Sequence, residues 1–101
     1  MVYNKLVRDK IPEIIRANGE VPHCRVLDRE EFISCLEKKL DEEVGEYHRD
    51  RNAEELADIL EVVFALADSI GCSREELMDI YQRKHEARGG FRDRIFLISK
   101  Q

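Results

Sequence analysis

Two pairs of acidic residues are the side chains best suited to chemistry in this sequence. Glu43 with Glu46, and Glu55 with Asp58, are each three positions apart, a spacing that puts both members on one face of an α-helix. An antiparallel hairpin of two such helices would bring the pairs together. Four like charges on one patch repel each other unless divalent cations lie between them, and carboxylate oxygens suit Mg²⁺ or Mn²⁺. The spacing therefore predicts a metal site made of these four residues.

Burial of some of these acids supports the same interpretation. A helical projection places Glu55 inside an apolar face and Asp58 at its edge, whereas Glu54, Glu61 and Asp68 fall on the opposite, polar side. Burying an ionised carboxylate without compensation costs several kcal/mol. Ordinary surface charge is the alternative, because 39% of the residues are charged and Glu55 could simply close a capping box with Asn52.

Helix start and stop signals predict the elements that carry these acids. Each of the three longer helices would begin at a small polar residue followed three positions later by Glu, and Gly71 and Gly89 would end the last two. We expect a mainly α-helical single domain over residues 1–101, and residues 21–27 and 94–99 are short β-type runs that could pair. The expected helices are 11–17, 29–47, 53–70 and 74–88.

Composition excludes several classes of protein. The chain has 101 residues and a formal net charge of -5, and no apolar run approaches the roughly 18 residues of a membrane helix. An acidic balance argues against stable nucleic-acid binding, which needs an excess of Lys and Arg. Three dispersed cysteines without a zinc-type spacing, and the lack of a signal peptide, indicate a cytoplasmic protein with no membrane partner.

Three blocks of the sequence resemble a known family. E-E-V-G-E at Glu42–Glu46 and E-L-A-D-I-L-E at Glu55–Glu61 resemble the ExxE…ExxD pattern of MazG-like nucleoside triphosphate pyrophosphohydrolases. Y-N-K-L-V-R-D-K-I-P at Tyr3–Pro12 and K-H-E-A-R-G-G-F at Lys84–Phe91 resemble the ends of the branch labelled phosphoribosyl-ATP pyrophosphohydrolase-like. The gap between the two acidic pairs is shorter here than in typical members.

This resemblance implies an all-α enzyme that converts a nucleotide to its monophosphate and pyrophosphate. It implies that Mg²⁺, or Mn²⁺, is held by Glu43, Glu46, Glu55 and Asp58. A carboxylate not committed to metal would orient or deprotonate the attacking water, and either Glu42 or Glu46 suits that role.

Basic residues at two places in the chain could bind the phosphates of a nucleotide. Lys84 and Arg88 stand one helical turn apart, and Lys5 and Arg8 belong to the N-terminal segment. Charge at a helix C-terminus and simple solvation are the alternatives. With the resemblance we favour Lys84, Arg88 and Lys5, and leave Arg8 open.

The sequence as a whole therefore favours a Mg²⁺-dependent nucleotide pyrophosphohydrolase. Hydrolysis of phosphoribosyl-ATP in histidine biosynthesis, and a non-catalytic helical module that binds a nucleotide or a protein, are the alternatives. The expected helix 53–70 is apolar on much of its circumference. This indicates a bundle completed by formation of a homodimer or homotetramer.

Overall fold

The computed structural model describes all residues from 1 to 101 and confirms the all-α prediction. It contains four helices and no strand. Three of the four predicted ranges are correct to within one residue, and the second helix runs three residues further than predicted. The helices are α1 (Ile11–Ala17), α2 (Arg29–Asp50), α3 (Ala53–Ser69) and α4 (Arg74–Arg88).

Helices α2 and α3 form an antiparallel hairpin with a very short turn. Arg51 ends α2 in the left-handed conformation (φ 48°), and its N–H donates to the carbonyl oxygen of Tyr47 at 2.7 Å. Asn52 then caps α3, since its side-chain oxygen accepts the N–H of Glu55 at 3.0 Å. The turn between the two acidic pairs is thus fixed by the left-handed conformation of Arg51 and by the side-chain cap of Asn52.

The open end of the hairpin is closed by a hydrogen bond between the first residue of α2 and the last residue of α3. The guanidinium of Arg29 donates to the carbonyl oxygen of Ser69 at 2.7 Å. Leu36, Val62 and Ala67 are the buried hydrophobic residues of the whole chain. The core therefore lies mainly between α2 and α3.

Helix α4 packs against α3 and not against α2. It begins with a complete capping box, in which Ser73 accepts the N–H of Glu76 at 3.1 Å and Glu76 accepts the N–H of Ser73 at 3.2 Å. The guanidinium of Arg74 lies 4.3 Å from the ring centroid of Phe64 on α3. None of the four helices combines the length and apolarity needed to cross a membrane.

The chain is extended, and much of its apolar surface is uncovered. Its radius of gyration is 17.8 Å, whereas a compact chain of this length has about 13 Å. Leu56 and Leu60 on α3 are 47% and 51% exposed, and Tyr81 on α4 is 56% exposed. Residues 21–27 and 94–99 form no strand in this structure. Pairing between the two segments stays a prediction.

Candidate functional site

Three of the four predicted metal ligands come together at the α2–α3 hairpin. Glu43 of α2 and Glu55 and Asp58 of α3 each offer one carboxylate oxygen, and these oxygens lie within 4.8 Å of one another. Glu43 is buried, with 8% of its surface exposed, while Glu55 and Asp58 are half-buried. We refer to Glu43, Glu55 and Asp58 as the carboxylate cluster.

Two oxygens of the carboxylate cluster lack any partner within the protein. Oε2 of Glu43 and Oε2 of Glu55 are both buried and make no hydrogen bond. Glu55 does not close a capping box with Asn52, because only the cap of α4 has the return hydrogen bond. A buried polar group without a partner costs about 1–3 kcal/mol. These two oxygens are therefore placed to accept a proton or to bind a cation.

Burial also changes the acidity of both glutamates. Loss of solvation raises the pKa of Glu43, the negative charge of Glu46 raises it further, and the positive charge of Lys39 opposes the change. Loss of solvation raises the pKa of Glu55 as well, with further contributions from the charges of Glu46 and Asp50. A divalent cation would relieve the same crowding of negative charge.

Two basic side chains face the carboxylate cluster. Nζ of Lys39 lies 3.7 Å from Oε1 of Glu43, one helical turn away on α2. Nη2 of Arg8 donates to Oδ1 of Asp58 at 2.7 Å. Both cations line a cleft of about 230 Å³ together with Glu43 and Asp58. The cleft thus brings carboxylates and positively charged side chains together.

Sequence reasoning overlooked Lys39 and misplaced Glu61. The spacing of Lys39 and Glu43, four residues apart on one helix, was a usable signal. Glu61 was expected on the polar side of its helix, away from Asp58. It is exposed as expected, but it lines the cleft beside Asp58, because residues three apart on a helix share a face.

The remaining predicted acids lie outside the carboxylate cluster. Glu46 does not belong to the set of mutually close oxygens, although its charge acts on both Glu43 and Glu55 and its carboxylate lies within hydrogen-bonding reach of Glu55, which also raises the pKa of Glu55. Its carboxylate lies 3.9 Å from the guanidinium of Arg49. Glu42, the residue before Glu43 on α2, is exposed.

Of the four predicted phosphate-binding residues, the structure brings Arg8 alone to the cleft. Lys84 and Arg88 are exposed on α4, which does not contact α2, and neither lines the cleft. Nζ of Lys5 lies 5.8 Å from the ring centroid of Tyr3 and also lies outside the cleft. Roles for Lys5, Lys84 and Arg88 in binding stay predictions.

Comparison with known proteins leaves the family of this chain open. No protein-family model and no solved structure matches it. A stretch of 42 residues, 42% of the chain, is 55% identical to an uncharacterized protein from Mycolicibacterium smegmatis (strain ATCC 700084 / mc(2)155). The matched residues span 43% of that relative's length. The name of that relative states no function.

Proposed function

We propose that this chain is a Mg²⁺-dependent nucleotide pyrophosphohydrolase. It cleaves the bond between the α- and β-phosphates of a nucleoside triphosphate or related nucleotide, giving a monophosphate and pyrophosphate. The observation that carries this proposal is the pair of buried, unpartnered oxygens on Glu43 and Glu55. The resemblance to MazG-like enzymes supplies the reaction, because an acidic cluster alone does not specify one.

The donor set fits a hard divalent cation. Glu43, Glu55 and Asp58 supply three carboxylates within 4.8 Å of one another, and oxygen ligands are those that Mg²⁺ and Mn²⁺ prefer. Glu46 is the fourth proposed ligand, on the strength of its charge acting on the two glutamates. When bound, Mg²⁺ offsets the negative charge of the phosphates and favours deprotonation of water.

The protein's own side chains contribute charge and a proton acceptor. Lys39 and Arg8 place positive charge in the cleft, where it would stabilise the negative charge that develops on the departing pyrophosphate. Because Glu46 is proposed as a ligand, we assign the proton acceptor to Glu42, the exposed neighbour of Glu43 that is not committed to the cation.

We also propose that the protein assembles as a cytoplasmic homodimer or homotetramer. Support for assembly comes from the exposed Leu56 and Leu60 on α3 and from the small core of a single chain. Support for a reducing compartment comes from three unpaired cysteines, Cys24, Cys35 and Cys72.

Pyrophosphate release from a panel of nucleotides tests the proposal. The panel contains the common ribo- and deoxyribonucleoside triphosphates and phosphoribosyl-ATP, each with and without Mg²⁺. We expect Mg²⁺-dependent release that falls more than about 100-fold in Glu55→Gln, since even loss of a group that only orients a metal ligand costs about 10- to 100-fold.

Glu54→Gln is the matched control, because Glu54 is the exposed neighbour of Glu55 in the same helical turn. It should retain the wild-type rate. Full activity of Glu55→Gln on every substrate that the wild type hydrolyses would refute the proposal. Nucleotide binding without release of any product would instead favour a non-catalytic module.

A further inference from the structure

A single polar side-chain contact attaches the N-terminal twenty residues to the helical hairpin. Of the side-chain hydrogen bonds in the chain, only that from Arg8 to Asp58 joins residues 1–20 to a later helix, and it spans 50 positions of sequence. Helix α1 itself contacts none of the other helices. Residues 6–9 line the cleft beside the carboxylate cluster, and we call them the strap.

Arg8 forms an ion pair with Asp58, a carboxylate that the cluster would use to bind a cation. Oδ1 of Asp58 accepts from Nη2 of Arg8 at 2.7 Å, and Asp58 is one of the three residues with mutually close oxygens. Glu43 shows independently that the cluster is incomplete, since it is 8% exposed and its Oε2 has no partner. A guanidinium on Asp58 and a divalent cation in the cluster would be two cations, with three positive charges in all, that compete for one carboxylate.

We propose that Arg8 is a resident counter-ion of Asp58 that a divalent cation displaces, so that loading of the carboxylate cluster releases the guanidinium of Arg8 from Asp58 while the strap stays at the cleft. This inference rests on the proposed function in that it takes the cluster as a cation site. In the metal-free protein Arg8 neutralises the charge of Asp58. In the loaded protein its guanidinium is free to meet the phosphates of a bound nucleotide.

The exposure of the ion pair makes this exchange feasible. The side chains of Arg8 and Asp58 are 56% and 42% exposed, and ion pairs in contact with water contribute little net stability. A divalent cation held by several carboxylates is attracted to Asp58 more strongly than the singly charged guanidinium of Arg8 is. Displacement therefore needs no rearrangement of α2 or α3.

Side-chain NMR of the full chain, titrated with Mg²⁺ alone, tests the exchange directly. Rotation about the guanidinium bonds is slow when an arginine is held by a carboxylate, and the side-chain nitrogen signals report it. We expect the Arg8 signals to move to those of a free arginine as Mg²⁺ perturbs the carboxyl carbons of Glu43 and Glu55. The matched control is Arg25, which should not respond, because its 2.7 Å ion pair with Glu31 is similarly exposed but lies away from the cluster.

Cation affinity gives a second measurement on the same protein. Arg8→Gln should bind Mn²⁺ about 2- to 5-fold more tightly than wild type, the range that corresponds to an exposed ion pair, whereas Arg25→Gln should bind it with unchanged affinity. If Mg²⁺ shifts Glu43 and Glu55 while Arg8 stays paired with Asp58, the exchange is wrong and the metal site stands. If Mg²⁺ perturbs none of the three carboxylates, both the exchange and the proposed function fail.

Discussion

Glu43 of α2 and Glu55 of α3 meet across the hairpin, each contributing a carboxylate oxygen within 4.8 Å of the other, and Oε2 of each is buried without a partner. The two side chains come from different helices, so the tight packing of α2 on α3 holds them together against their repulsion. A proton or a cation would remove that repulsion. The stability of the hairpin should therefore depend on both.

Mg²⁺ should stabilise the wild-type protein against unfolding, and the substitution Glu43→Gln should abolish that stabilisation. In metal-free buffer Glu43→Gln removes a buried negative charge whose Oε2 has no partner. Desolvation and the charge of Glu46 outweigh the attraction of Lys39 at this carboxylate, so the free energy of unfolding of Glu43→Gln should exceed that of wild type by on the order of 1 kcal/mol. Thermal unfolding followed by circular dichroism, with and without Mg²⁺, measures both effects. Glu42→Gln, at the exposed neighbouring position, should behave like wild type. An equal rise of Tm with Mg²⁺ in wild type and Glu43→Gln would contradict this expectation.

The raised pKa values of Glu43 and Glu55 predict how stability varies with pH. Between the ordinary pKa of a glutamate and the raised pKa of these two, the folded protein binds more protons than the unfolded chain, so stability of the metal-free protein falls as pH rises through that window. Below the ordinary pKa both states are protonated and the contribution is constant.

The Glu43→Gln/Glu55→Gln variant should flatten this decline. Urea unfolding from pH 5 upward measures it, and it avoids the range in which Glu31, whose pKa the hydrogen bond from Arg25 lowers, loses its own stabilising contribution as pH falls. A double variant that declines as steeply as wild type would assign the effect to other groups.

Much of the fold was predictable because its helix boundaries are set locally. Side-chain caps at Asp28, Asn52 and Ser73 begin three helices at the expected residues. The end of α2 was predicted three residues early, since no stop signal stands at residues 48–50 and the helix continues until Arg51 turns left-handed. Such a turn in a non-glycine residue has no strong sequence signal.

The carboxylate cluster was predictable in part for the same reason. The spacing of three residues places Glu55 and Asp58 together, whereas of the pair on α2 only Glu43 belongs to the cluster. How α2 packs on α3 decides which member of a pair faces the other helix, and spacing along one helix does not fix that packing. The contact of Arg8 with Asp58 spans 50 residues. That contact depends on where the N-terminal segment folds back against α3, and the local periodicity of the sequence does not predict this.

Lys39 should keep Glu43 more acidic than burial alone would allow. Its positive charge lowers the pKa of Glu43 against the desolvation that raises it, so Lys39→Gln should raise the pKa of Glu43 further. Carbon NMR titration of the glutamate side chains measures the change. Lys38→Gln provides the control, because Lys38 is exposed at the adjacent position. If Lys38→Gln and Lys39→Gln shift Glu43 equally, the 3.7 Å contact has no specific effect.

Leu60 should lie in a contact between subunits. It is 51% exposed on α3, one helical turn from the similarly exposed Leu56, and burying a leucine stabilises an interface by about 1.5–3 kcal/mol. Sedimentation equilibrium should give a wild-type mass of two or four times 11.9 kDa, and Leu60→Glu should shift the distribution towards the monomer because it would bury a charge. Glu54→Gln, exposed on the same helix, should leave the mass unchanged. A wild-type protein that stays monomeric at high concentration would show that α3 presents this face to water.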